Sequence, residues 1–157
     1  MNKIPMTSSG YENLQSDWKQ LINTERPNII AAIAEARSHG DLSENAEYHS
    51  AKEQQSLIEG KISELESTIA NAEIIDVSKL VGKEVKFGAT IIIEDEKSGD
   101  KSTYQIVGEY ESDITNKKLS INSPLARGLI GKTNNDIVEI NSPKGIKVYK
   151  IVSVKFI

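Results

Sequence analysis

At 157 residues the chain has room for one domain or two small units with little shared core, and 38% hydrophobic with 27% charged residues describes a folded chain, not a disordered one. The absence of cysteine excludes disulfides and thiolate metal sites and fits a reducing compartment. Residues 1–78 carry 6 Lys and Arg against 13 Asp and Glu, and residues 79–157 carry 13 against 10, so the acidic first half is unsuited to tracking a nucleic-acid backbone.

Thr7 or Ser8 is placed to cap a first helix, although Gly10 weakens its opening turn. Tyr11, Leu14, Trp18 and Leu21 follow at spacings of three and four, an apolar seam of the coiled-coil kind. Pro27 interrupts the seam by removing a backbone donor and disfavouring helix at Arg26. The pattern resumes at Ile29, Ile30 and Ile33, and ends near Arg37. Either one kinked helix or two nearly collinear ones satisfy this pattern. A second helix is expected from about 44 to 71, with Ile58, Ile62, Leu65, Ile69 and Ala72 as a heptad seam. Between them lies the stretch 39–48, HGDLSENAEY, where Gly40 suits the left-handed conformation that ends a helix. A turn this short makes the helices antiparallel neighbours. Thirty residues would give a rod of roughly 45 Å.

Past residue 78 the apolar residues become β-branched and alternating. Strands are expected around Val85 and Phe87, at 91–93, at 104–107 and at 119–121, with Lys97-Ser98-Gly99-Asp100 as a hairpin turn. Residues 124–131 suit one or two helical turns, with Pro124 at the first position and glycine at the end. Residues 137–140 and 146–154 read as a terminal hairpin across Pro143-Lys144-Gly145. The fold class is α+β, with a two-helix antiparallel coiled coil over 1–78 and a small mixed sheet with one short helix over 79–157.

No phosphate-binding glycine loop is present, and no nucleophile elbow. His39 and His49 straddle the turn without the spacing of metal ligands. No apolar run approaches the roughly 18 residues of a membrane span, and Met1-Asn2-Lys3-Ile4-Pro5 opens no signal sequence, so a cytoplasmic protein with no membrane contact is expected. Chemistry therefore falls to Asp41 and Glu44. Asp-x-x-Glu ahead of a helix is close to a capping box, with Ser43 as a rival cap. The other reading makes both carboxylates ligands for a divalent ion. Two carboxylates do not cage Mg²⁺, which takes one or two from a protein and the rest from water and phosphates. Such a turn would act only by completing a site on another molecule.

Three stretches carry a resemblance: 4–7 (IPMT), 26–49 (RPNIIAAIAEARSHGDLSENAEYH) and 122–132 (NSPLARGLIGK). Together they closely resemble the bacterial GreA/GreB family of transcript-cleavage elongation factors, in register over the whole chain. The segment after the turn, 50–55, lacks the dense basic cluster expected of the GreB branch. The resemblance implies a coiled coil inserted through the secondary channel of RNA polymerase. Asp41 and Glu44 would stabilise a second Mg²⁺, held jointly with polymerase, and help place the attacking water. Polymerase would then cut its own backtracked nascent RNA and resume elongation, so the chain is a donor of metal-ligating carboxylates and not itself an enzyme. The resemblance also implies an FKBP-like C-terminal domain that docks on polymerase, with Asn122, Ser123, Pro124 and Leu125 as part of the contact. Arg37, Asn45, Tyr48 and Lys52 flank the turn as candidate contacts to polymerase or to the 3′ end of the nascent RNA.

Three other readings stay open on the sequence. A prolyl isomerase is disfavoured, because residues 79–157 offer few aromatics for such a pocket. A channel occupant that inhibits without promoting cleavage is opposed by the presence of both Asp41 and Glu44. A coiled-coil adaptor with no polymerase role is the third. Association with DNA, weak or indirect, is left open, since no base-reading motif is present.

Overall fold

The computed structural model describes residues 3–157; residues 1 and 2, where the leader reading begins, lie outside it. Two compact units result: Tyr11–Ala72, and Lys3–Gly10 together with Glu73–Ile157. The sequence reading divides the chain after residue 78, whereas contacts divide it after Ala72 and assign the opening strand to the second unit. The cause is local. Ile4–Thr7 (β1) pairs with Ala72–Ile75 (β2) in a two-stranded sheet. Glu111 accepts the Thr7 N–H at 2.8 Å and the Thr7 hydroxyl as well. The same hydroxyl oxygen accepts the Gly10 N–H at 3.0 Å, which makes Thr7 the helix cap.

Helix Ser8–Gln20 (α1) runs through a π turn, Leu21–Glu25, into Arg26–Arg37 (α2). Pro27 explains the π turn. Its ring has no N–H and would press on the carbonyl four residues back. Widening the preceding turn relieves that clash, and the Arg26 N–H reaches back to Leu21 O. The residues flanking the turn, Gln20 and Arg26, stay in the right-handed helical region. The chain therefore follows one continuous helical path with an inserted π turn.

Ala46–Ala70 (α3) packs along α2. At about 1.5 Å per residue its 25 residues make roughly 37 Å of axis. Ile62 is the most buried seam residue, and Ile58, Leu65 and Ile69 are half-buried. Toward the turn the buried seam residues shrink to Ala36 and Ala51. Small side chains bury little apolar area, so this end is held mainly by hydrogen bonds. Among the described residues no helix is long and apolar enough to cross a membrane.

The second unit is a five-stranded sheet built from Thr90–Asp95 (β3), Lys101–Val107 (β4), Lys118–Ser120 (β5), Ile137–Ser142 (β6) and Gly145–Lys155 (β7). Its order is β5-β4-β3-β7-β6, with β4 and β5 parallel and the other pairs antiparallel. One face, with Ile91, Ile93, Ile106, Leu119, Val138, Ile140 and Ile151, forms the core. Helix Pro124–Leu129 (α4) covers it with Ala126 and Leu129. The turn at 97–100 is closed by Asp95, whose side chain accepts the N–H groups of Lys97 and Ser98.

The strand expected at Val85 and Phe87 does not form. Glu84 makes an isolated bridge to Thr133, and Val85 bonds Lys132 and Gly131 through its backbone. Both side chains are buried. Alternation here marks which residues face the core, and the turn at Gly88 ends the segment before a ladder can extend.

Candidate functional site

The acidic turn is built from the ends of two helices. After Arg37, α2 closes with Ser38 N–H and its hydroxyl both donating to Glu35 O, at 3.0 and 2.6 Å. Gly40 takes φ +115°, a value that residues with a Cβ rarely adopt, and turns the chain away. Asp41 then holds the turn's shape: its Oδ1 accepts Ser43 N–H at 3.0 Å and the Ser43 hydroxyl at 2.9 Å. These two bonds, the backbone one foremost, hold the Asp41 carboxyl below its ordinary value. Asp41 is thus an exposed, charged group whose Oδ2 has no partner among the described residues.

Neither carboxylate caps α3. The cap is Asn45, in extended backbone geometry, whose Oδ1 accepts the Tyr48 N–H at 3.1 Å. This corrects the capping-box reading of Asp41 with Glu44, and the rival reading of Ser43. Glu44 lies on the exposed surface, and among the described residues its carboxylate has no hydrogen-bond or ion-pair partner. A capping role accounts for neither acid.

Two contacts that periodicity could not signal brace the turn. His39 Nδ1 lies 3.1 Å from Glu47 Oε2, and His49 Nε2 lies 3.3 Å from Ser43 O. The first spans the reversal and the second ties the turn to α3, so both exist only once the turn has folded. Behind it, Arg37, Tyr48 and Lys52 line one groove of about 410 Å³ with Ile30, Ile33 and Gln55. The Arg37 guanidinium carbon stands 6.0 Å from the Tyr48 ring centroid, a cation–π distance. Lys52 donates to Gln55 at 3.2 Å. The structure thus brings Arg37, Tyr48 and Lys52 together, while Asn45 is engaged within the turn.

Carboxylate oxygens, exposed and ionised, are the hard donors that Mg²⁺ takes. Among the described residues no three His, Cys, Asp or Glu side chains are grouped to hold a metal. The two acids are donors of the right kind for such an ion and too few to cage one by themselves.

The second stretch, 122–125, opens α4. Asn122 donates to Glu109 at 3.3 Å. Ser123 caps the helix, accepting Ala126 N–H at 3.2 Å and donating to Ser120 O at 2.8 Å. Pro124 is exposed and Leu125 packs on the core. Ser123, Pro124 and Leu125 also line a largely apolar groove of about 420 Å³ with Pro143, Lys144 and Tyr149.

Comparison with known proteins covers both units. Residues 4–74 match the family model described as transcription elongation factor, N-terminal, and residues 80–156 match transcription elongation factor, GreA/GreB, C-term. The chain is 57% identical to transcription elongation factor GreA of Mesorhizobium japonicum and 55% identical to that of Phenylobacterium zucineum, each over 100% of both chains. A solved structure, GreA factor homolog 1 of Thermus thermophilus, aligns over 98% of this chain and 99% of its own at 24% identity and a TM-score of 0.46. On the two family matches and the full-length identities, the chain belongs to the GreA/GreB family of transcription elongation factors.

Proposed function

We propose that this elongation factor works in the cytoplasm on RNA polymerase, entering the secondary channel and stimulating polymerase's own cleavage of backtracked nascent RNA. The observation that carries this reading is the state of Asp41 and Glu44. They sit together at a helix reversal, exposed, and capping occupies neither; Asn45 does that work. Exposed acids at the end of a helical hairpin, with Glu44 unpartnered among the described residues and Asp41 engaged through one oxygen only, suit donation to a site elsewhere.

In this reading Asp41 arrives charged, because Ser43 holds it below the ordinary carboxylate range. Asp41 and Glu44 would supply carboxylate oxygens to a Mg²⁺ held jointly with polymerase. When bound, that ion supplies Lewis-acid stabilisation of the reacting phosphate in a two-ion displacement. Arg37 and Lys52, in one groove beside the turn, offer cations to phosphates of the RNA 3′ segment. Tyr48, in the same groove, offers a ring for a base to stack on. The net negative charge of residues 1–78 favours approach to an electropositive, metal-bearing site. The groove beside Pro124 and Leu125 is the proposed docking contact of the second unit, with its exposed proline and apolar lining.

The test is cleavage in stalled, backtracked polymerase complexes with wild-type factor, Asp41→Ala and Glu44→Ala, each paired with a polymerase-binding titration. Loss of cleavage with binding intact is the expected result. Unchanged cleavage by both variants would overturn the reading.

A further inference from the structure

Asn45 stands between the acidic turn and α3, and each of its polar groups is engaged inside the protein. Its N–H donates to Leu42 O at 3.4 Å and its C=O accepts the His49 N–H at 3.2 Å. Oδ1 accepts the Tyr48 N–H at 3.1 Å, and Nδ2 donates to Ala36 O at 2.5 Å. The last bond crosses from the start of α3 to the last turn of α2, where Ala36 is only 3% exposed. One side-chain amide thus caps one helix and holds the end of the other.

The consequence is geometric. Residues 36–45 form a closed ring, and Asp41 and Glu44 both hang from it. This end of the hairpin has small buried side chains, so apolar packing does little to fix where the ring sits. An oriented reacting group misplaced by about 1 Å can lose on the order of 100-fold in rate. We infer that Asn45 is a positioning residue, which sets where the two carboxylates stand by tying α2 to α3 and makes no contact of its own with polymerase or RNA. The inference rests on the proposed role of those carboxylates.

Asn45→Ser separates the two bonds. Serine ranks with asparagine as a helix cap, so it retains an acceptor for Tyr48 N–H, but its side chain is too short to reach Ala36 O. Asn45→Asp is the second variant, because it keeps the cap acceptor and replaces the donating amide by an oxygen. Each is measured for RNA cleavage as a function of factor concentration, and for amide hydrogen exchange in the isolated protein. The expected result is retained protection at Tyr48, faster exchange across 38–44, and half-saturation within about twofold of wild type. The plateau cleavage rate falls by roughly 10- to 100-fold. A loss that excess factor restores would make Asn45 a contact residue and overturn the inference. So would a wild-type plateau in both variants beside an inactive Asp41→Asn control. A wild-type plateau in Asp41→Asn itself would instead overturn the carboxylate reading.

Discussion

Ser43 gives both of its donors to one oxygen of Asp41: the N–H at 3.0 Å and the hydroxyl at 2.9 Å converge on Oδ1. These bonds leave Oδ2 with no partner among the described residues and stabilise the charged form of the carboxyl. Ser43→Ala removes the hydroxyl and leaves the backbone bond, which is the larger cause of the lowered pKa. The Asp41 carboxyl, followed by NMR in the isolated factor, is therefore expected to titrate below the ordinary carboxylate range in wild type. In Ser43→Ala it should move part of the way back up. A value that does not change would mean the hydroxyl bond contributes nothing in solution.

Arg26 and Glu59 join α2 to α3 through two bonds, Nε to Oε2 at 2.8 Å and Nη2 to Oε1 at 2.7 Å. The hydrogen bond from Arg26 holds Glu59 below its ordinary value, and Glu59 in turn raises Arg26. Because the folded Glu59 pKa is depressed, its contribution is complete above the unfolded carboxylate range and disappears as pH falls through the folded value. Both side chains are solvent-exposed, so the effect is small and screened by salt. Glu59→Gln is expected to lower the melting midpoint slightly at neutral pH and low salt. Thermal scans should show that difference vanish on acidification and shrink in high salt.

Two glycines are expected to respond to alanine with opposite signs. A Cβ at Gly108 would strike the backbone oxygen of Pro5, pushing β1 away from the turn that carries Glu111. Gly108→Ala should cost about 1–3 kcal/mol, the usual range for forced overpacking. Gly60 lies inside α3 with open space around it, so Gly60→Ala should stabilise by about 0.5–1 kcal/mol. Denaturant unfolding checks both, and equal signs would contradict the packing described for one of them.

Periodicity exposed those parts of the fold where one element's pattern suffices. The Ile58–Ile62–Leu65–Ile69 seam, the hairpin closed by Asp95, and Pro124 opening α4 are local facts of spacing or turn chemistry, and the structure contains all three. What escaped depends on partners distant in sequence or on choices among equivalent side chains. The β1–β2 pair joins residues about seventy apart, and no pattern within either four-residue strand announces it. The π turn follows from Pro27, yet spacing alone did not separate it from a kink. Within the turn, Asp41, Ser43 and Asn45 are all plausible caps by residue type. Only the extended backbone at Asn45 decides among them, and that decision leaves the two acids without a capping role.

The Mg²⁺ dependence of RNA cleavage in backtracked polymerase complexes, taken at saturating factor, bears most directly on donation of Asp41 and Glu44 to a shared ion. Wild-type factor is expected to lower the Mg²⁺ concentration needed for half-maximal cleavage. Glu44→Gln should raise it severalfold at unchanged polymerase binding, with excess Mg²⁺ recovering part of the rate. A half-saturating Mg²⁺ concentration that is the same without factor, with wild type and with Glu44→Gln would contradict the account, because the carboxylates would then be holding no ion.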